Sequence, residues 1–248
     1  MNEFANPAKR LSRLIEIVVH KQDSTSSAAV WADAFGLDAA KAQTDPHEVI
    51  AKLMILRNEI DLVEKLMSST SFSKGLYEPH LQRVRSTVSL TNISATWNNH
   101  KSQLPADTRL ALRYCAEILP AEPEISMEEL QGVLDSVHRL RGEIEQSEIT
   151  QAVREFLLSQ LAIIEKAIHD YPIRGGIAIK SAFKDGLADC AAHAETVSAE
   201  GNKANISRVG RIWSDFKSAG KELVEADRVA SSLVGLTEKG HALLNLFN

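Results

Sequence analysis

Apolar residues recur at intervals of three and four along nearly the whole chain, and this spacing constrains the fold more than any other feature of the sequence. It places one apolar side chain per helical turn on a common face, and leaves little from which to build a sheet. Leu11, Leu14, Ile15, Val18 and Val19 mark a first helix. Ala28, Val30, Trp31 and Phe35 mark a short second one, entered through the capping cluster Ser24–Ser27 and closed by Gly36. Asp45-Pro46 opens a third, on which Val49, Ile50, Leu53, Ile60, Val63 and Met67 form an apolar face. Met54, Ile55, Leu56 and Leu62 widen that face, so this helix is expected at the centre.

Residues 76–100 are the least regular. Tyr77, Leu81, Val84 and Val88 fit a helix, whereas Thr87-Val88-Ser89-Leu90-Thr91 alternates and is rich in residues of low helix propensity. No second strand-like run is visible to pair with it, so the segment is expected to be helical.

Beyond Pro105 the pattern is cleaner. Leu110, Ala111, Tyr114, Cys115, Ile118 and Leu119 mark a short helix that ends at the loop Pro120–Pro123. Ser126 and Glu129 have capping-box spacing ahead of Leu130, Val133, Leu134, Val137, Leu140 and Ile144. Further stripes run from Val153 to Ile168, from Ile179 to Ala194, and from Ile206 through Trp213 and Phe216 to Val224. The expectation is an all-α protein, a multi-helix bundle of about eight to ten amphipathic helices with no β-sheet. Residues 1–248 read as a single domain, with 120–125 the one place where two helical subdomains could meet. No fixed-period repeat of the solenoid kind is present.

Composition removes several classes of function. The 248 residues carry 28 basic and 33 acidic side chains, a net charge of −5, so the chain as a whole does not attract nucleic-acid backbones. Its two cysteines, Cys115 and Cys190, form no close pair, which excludes a disulfide scaffold and fits a reducing, cytoplasmic setting. No secretory leader is read at the N-terminus, and no window reaches the roughly 18 consecutive apolar residues of a spanning helix. The common nucleotide-loop, hydrolase-elbow, zinc-protease and di-iron motifs are missing from the sequence, so no catalytic residue, metal site or cofactor is assigned.

The best positive signal is Tyr171-Pro172-Ile173-Arg174-Gly175-Gly176, which reads as a helix stop and reversal. Two glycines can leave amides facing outward at the start of the next helix, where the helix dipole favours an anion. Arg174, Gly175, Gly176 and Lys180 are therefore the candidate anion-binding residues. The string Gly175–Ser181 lacks the glycine before its lysine and the preceding strand that a phosphate-binding loop requires. Flanking this turn, Glu165 with His169 and Asp189 with His193 are spaced one helical turn apart. An antiparallel hairpin would bring His169 near Lys180 and Glu165 near Lys184, which an ordinary surface ion network explains as well as catalysis does. Cys190 and His193 alone do not make a metal site.

Arg208, Arg211, Lys217 and Lys221 interleave with Trp213 and Phe216, although both aromatics fall on the apolar stripe that a core would claim. Trp213 and Phe216, with Leu243, Leu246 and Phe247 near the C-terminus, are the candidate partner-binding residues. The leading functional expectation is a non-enzymatic interaction protein, an adaptor, scaffold or subunit that binds another protein or its own copies. Next comes a regulatory protein with a small anionic ligand at the Tyr171–Lys180 turn. A membrane-active effector using the C-terminal helices ranks third, and nucleic-acid binding is disfavoured.

Overall fold

The computed structural model describes residues 6–123, 125–195 and 203–221, and among them the chain is α-helical with no β-strand. Backbone contacts divide it into two compact units, one of Met1–Glu122 with Pro172–Gly175, the other of Pro123–Tyr171 with Gly176–Asn248. The division at 122/123 falls inside the proline-bounded loop. No helix among the described residues is long and apolar enough to cross a membrane.

In the first unit, α1 (Pro7–Val19) buries Leu11, Leu14, Ile15 and Val18 and packs on α2 (Ser27–Ala34), α4 (His47–Ser68) and α7 (Ala106–Ile118). Asn6 joins two of these helices. Its Oδ1 accepts from the Lys9 amide at 2.9 Å, capping α1, while its Nδ2 donates to the carbonyls of Ala116 and Leu119 at 2.9 and 3.0 Å, where α7 ends. One buried amide thus satisfies orphan groups at opposite helix ends. α2 closes as expected at Gly36, with φ +72°; Leu37 N donates to Ala32 O and Gly36 N to Asp33 O, the paired bonds of a glycine-terminated helix. The short α3 (Ala39–Thr44) leads into α4, whose Val49, Leu53, Leu56, Ile60, Val63 and Met67 enter the core. The broad face expected of α4 is narrower in the structure: Met54 is exposed, and Ile55 is only partly buried.

Residues 76–100 do not form the expected helix. A 3₁₀ turn (Lys74–Leu76) precedes α5 (Glu78–Thr87), and regular structure resumes only at the single turn α6 (Asn98–Lys101). At the end of α5, Ser86 Oγ and Thr87 Oγ1 bond back to the carbonyls of Arg83 and Val84. The segment after it pairs with the entrance to α2. Ser27 N and Ala28 N, orphan donors at that helix start, donate to Ala95 O and Ile93 O at 2.8 and 2.9 Å, and Trp97 N donates to Thr25 O at 2.8 Å. A single antiparallel bridge, Ser26 to Thr96, results. The pairing partner is therefore the capping end of a helix, which has no strand pattern to betray it.

The second unit contains α8 (Met127–Glu145), α10 (Gly176–Ala192), α11 (Lys203–Ala219) and most of α9 (Gln151–Arg174). Ser126 caps α8 by accepting from Glu129 N. α9 and α10 run antiparallel, and α11 packs on α8. α9 does not stop at Pro172, as the sequence suggested, but continues through it to Arg174. The reversal is made by Gly175 alone, at φ +57°.

Candidate functional site

The four residues of the expected anion site fall in two groups. Arg174 and Gly175 belong to the first unit, Gly176 and Lys180 to the second. Within the first unit the space in front of Gly175 is already filled. Arg10, reaching across from α1 and 1% exposed, donates through Nε to Ile173 O at 3.0 Å. Its Nη1 donates to Glu122 Oε2 at 2.6 Å and its Nη2 to Glu59 Oε2 at 3.1 Å. Burial pushes the Glu59 carboxyl above its ordinary value, against the opposing charge and hydrogen bond of Arg10. A carboxylate of the chain itself, Glu122, thus lies with Arg10 in front of Gly175. Gly176 is buried and Lys180 exposed.

In the second unit the aromatic candidates are core residues. Trp213 and Phe216 are fully buried and pack against Phe183, with ring centroids 5.1 and 5.4 Å away. The indole Nε1 of Trp213 donates to Gln160 Oε1 at 2.8 Å, and Gln160 Nε2 donates to Asp189 Oδ2 at 2.7 Å and to Gly186 O at 3.2 Å. The stripe on α11 thus faces inward and offers no free docking face. Leu243, Leu246 and Phe247 lie outside the described residues.

Asp189 stands 3.3 Å from His193 Nδ1, as the spacing suggested, and Glu165 engages His138 of α8 at 3.2 Å together with Arg141. Cys190 is buried and its thiol is pushed up to about 12; burial likewise raises Cys115 to about 11, so neither is a nucleophile at neutral pH. No group of three metal-ligating side chains occurs among the described residues.

Two features of the first unit were not singled out by sequence. On α7, Leu110, Tyr114 and Ile118 are 47, 51 and 36% exposed, one turn apart along a single outer edge. The sequence marks two adjacent stripes on this helix, and the core takes the other one, Ala111 with Cys115 and Leu119. Beside the ladder, Arg113 and Arg109 hold Glu16 at 2.8 and 3.2 Å, and Lys9 lies 3.8 Å from Glu117. Burial pushes the Glu16 carboxyl up, but the hydrogen bonds and charges of Arg113 and Arg109 outweigh it and hold the group below its ordinary value.

The second feature is an open cleft of about 480 Å³ where α5, the bridged segment and α6 meet, lined by Ser86, Ser89, Asn92, Asn99, His100 and Gln103. Its polar residues come from the end of α5, the turn α6 and the loops between and after them, so no spacing rule marks them.

These features define an all-helical protein of two compact units whose first unit carries the exposed apolar ladder and the polar cleft. Comparison with protein-family models, curated proteins and solved structures finds no significant match to the chain.

Proposed function

We propose that the protein is a helical interaction module that acts by docking rather than by turnover, and that α7 is its docking helix, with a second copy of the chain as occupant. The ladder Leu110–Tyr114–Ile118 carries this reading. Scattered exposed apolar residues are ordinary, but three in register along one helix edge present a continuous apolar strip about 12 Å long.

The flanking charges favour a copy of the same helix. Arg113 and Glu117 lie one turn apart on the same side of the ladder. In an antiparallel, two-fold pair centred on Tyr114, Leu110 meets Ile118 of the second copy and Arg113 comes beside Glu117 of the second copy. The strip is short, so the pair belongs with weak, reversible contacts.

Sedimentation velocity over a concentration series tests the proposal. The wild-type chain is expected to pass from monomer to dimer in the micromolar range, and Tyr114→Arg to remain monomeric with unchanged helical circular dichroism. A wild-type chain that stays monomeric throughout, or a variant that dimerises equally well, overturns it.

A further inference from the structure

We infer that the His100 cleft is a binding site for a small neutral polyhydroxylated ligand, of the chemical class of a mono- or disaccharide. The inference is independent of α7, since none of the residues that line the cleft lies on that helix. At about 480 Å³ the cleft falls in the size range of small-molecule sites.

Its lining contains two hydroxyls, three carboxamides and an imidazole, with no lysine, arginine, aspartate or glutamate. A phosphate or carboxylate ligand would find no lysine or arginine there and a metal ion no carboxylate, while Ala95 is the one apolar side chain of the lining. Carboxamides suit alcohols, because each offers donors and an acceptor side by side, as a vicinal pair of hydroxyls does. Among the described residues, the amides of Asn92, Asn99 and Gln103 take no protein partner. Ser86 Oγ gives its proton to Arg83 O, which leaves its lone pairs as acceptors.

His100 supplies the observation that points to an occupant. It is 7% exposed and lines the cleft, yet its Nε2 is buried with no hydrogen-bond partner among the described residues. Behind it stands Trp97, ring centroids 6.0 Å apart, and then Trp31, 5.9 Å further on; both indole nitrogens are also buried without a partner. Unsatisfied buried donors and acceptors are rare because each forfeits its hydration, so the unpartnered Nε2 of His100, a residue of the cleft wall, marks a place where hydrogen-bonding matter is expected to enter.

The wall is also preorganised. Main-chain bonds from Ser27, Ala28 and Trp97 fix residues 93–97 against the start of α2. Lys101 Nζ clamps α6 to Lys21 O at 3.0 Å and to Asp23 at 2.7 Å, while Ile93 and Trp97 are sunk in the core. A polar cleft held by backbone bonds and buried anchors loses little entropy when a ligand arrives.

Titration of the full-length, ¹⁵N-labelled chain with maltose, lactose and N-acetylglucosamine, followed through the side-chain amide signals of Asn92, Asn99 and Gln103, tests the inference. At least one saccharide is expected to shift these signals saturably with a millimolar Kd, and the exposed-site double variant Asn99→Ala/Gln103→Ala to weaken that binding at least tenfold. Inorganic phosphate and triglycine are the controls. No saturable shift with any of the three sugars, undiminished binding by the double variant, or saturable binding of phosphate or triglycine in their place overturns the inference.

Discussion

Arg10 fills the space that a side chain on residue 175 would need: a Cβ added to Gly175 would lie 2.6 Å from the Arg10 Cζ and 2.8 Å from the Glu122 carboxylate. The guanidinium cannot swing aside cheaply, because Ile173 O, Glu122 and Glu59 hold all three of its nitrogens. Gly175 is thus required twice, by its φ of +57° and by the ion cluster in front of it. Gly175→Ala is expected to destabilise the protein by more than about 2 kcal/mol, since the left-handed backbone alone costs roughly 1–2 kcal/mol. Gly142→Ala, inside α8 with nothing within 4 Å of the new Cβ, is expected to have the opposite sign, a gain of about 0.5–1 kcal/mol. Urea unfolding of the two variants beside the wild type checks both.

Two carboxylates of the first unit should respond to pH in opposite directions. Glu16 titrates below its ordinary value in the folded chain, so the stability it contributes is present above the carboxylate range and is lost as pH falls through it. Glu59 titrates above its ordinary value, so its ionised form carries a penalty near neutral pH that is relieved as pH falls. Melting temperatures of Glu16→Gln and Glu59→Gln, each subtracted from the wild type between neutral pH and pH about 4, should therefore show the wild-type advantage shrinking on acidification for Glu16 and growing for Glu59. Parallel trends would contradict this assignment.

Gln160 is the polar hub of the second unit, accepting from Trp213 and donating to Asp189 and Gly186. Gln160→Met leaves a buried indole N–H without its acceptor and is expected to cost about 1–3 kcal/mol. Gln160→Glu keeps that acceptor but sets a carboxylate against Asp189, so its destabilisation should be larger at neutral than at acid pH. Thermal unfolding of both variants at the two pH values distinguishes the effects.

The helical class was legible because amphipathic periodicity is a local signal: α1 and α8 bury the stripes their sequences mark, and α11 buries its stripe from Ile206 to Phe216, the continuation to Val224 lying outside the described residues. What escaped was non-local. The carbonyls of Ile93 and Ala95 pair with orphan amides of α2, some 65 residues earlier, and that complementarity leaves no periodic trace. Pro172 looked like a stop, but α9 carries on through it for two more residues, to Arg174. Nothing in the sequence singles out Gln160, because Trp213 and Asp189 are brought to it only by tertiary packing. Of the candidate site residues, Trp213 and Phe216 proved to be core, because a stripe that packs inside and a stripe that docks outside have the same spacing. The α7 ladder escapes for the converse reason: Leu110, Tyr114 and Ile118 stand directly beside Ala111, Cys115 and Leu119, and spacing does not say which of the two stripes the core takes. His100 and the amides around it come from the single turn α6 and the loops on either side of it, and only the folded chain shows that they share a wall.

Docking through α7 is tested most directly by a single engineered thiol on the two-fold axis. The native cysteines do not interfere, since Cys115 and Cys190 are buried with thiols raised to about 11 and about 12. Tyr114→Cys is expected to give a covalent dimer under mild oxidation at micromolar protein, while Met54→Cys, equally exposed but on α4, remains monomeric on a non-reducing gel. Absence of the dimer at position 114, or equal cross-linking at both positions, would contradict docking through α7.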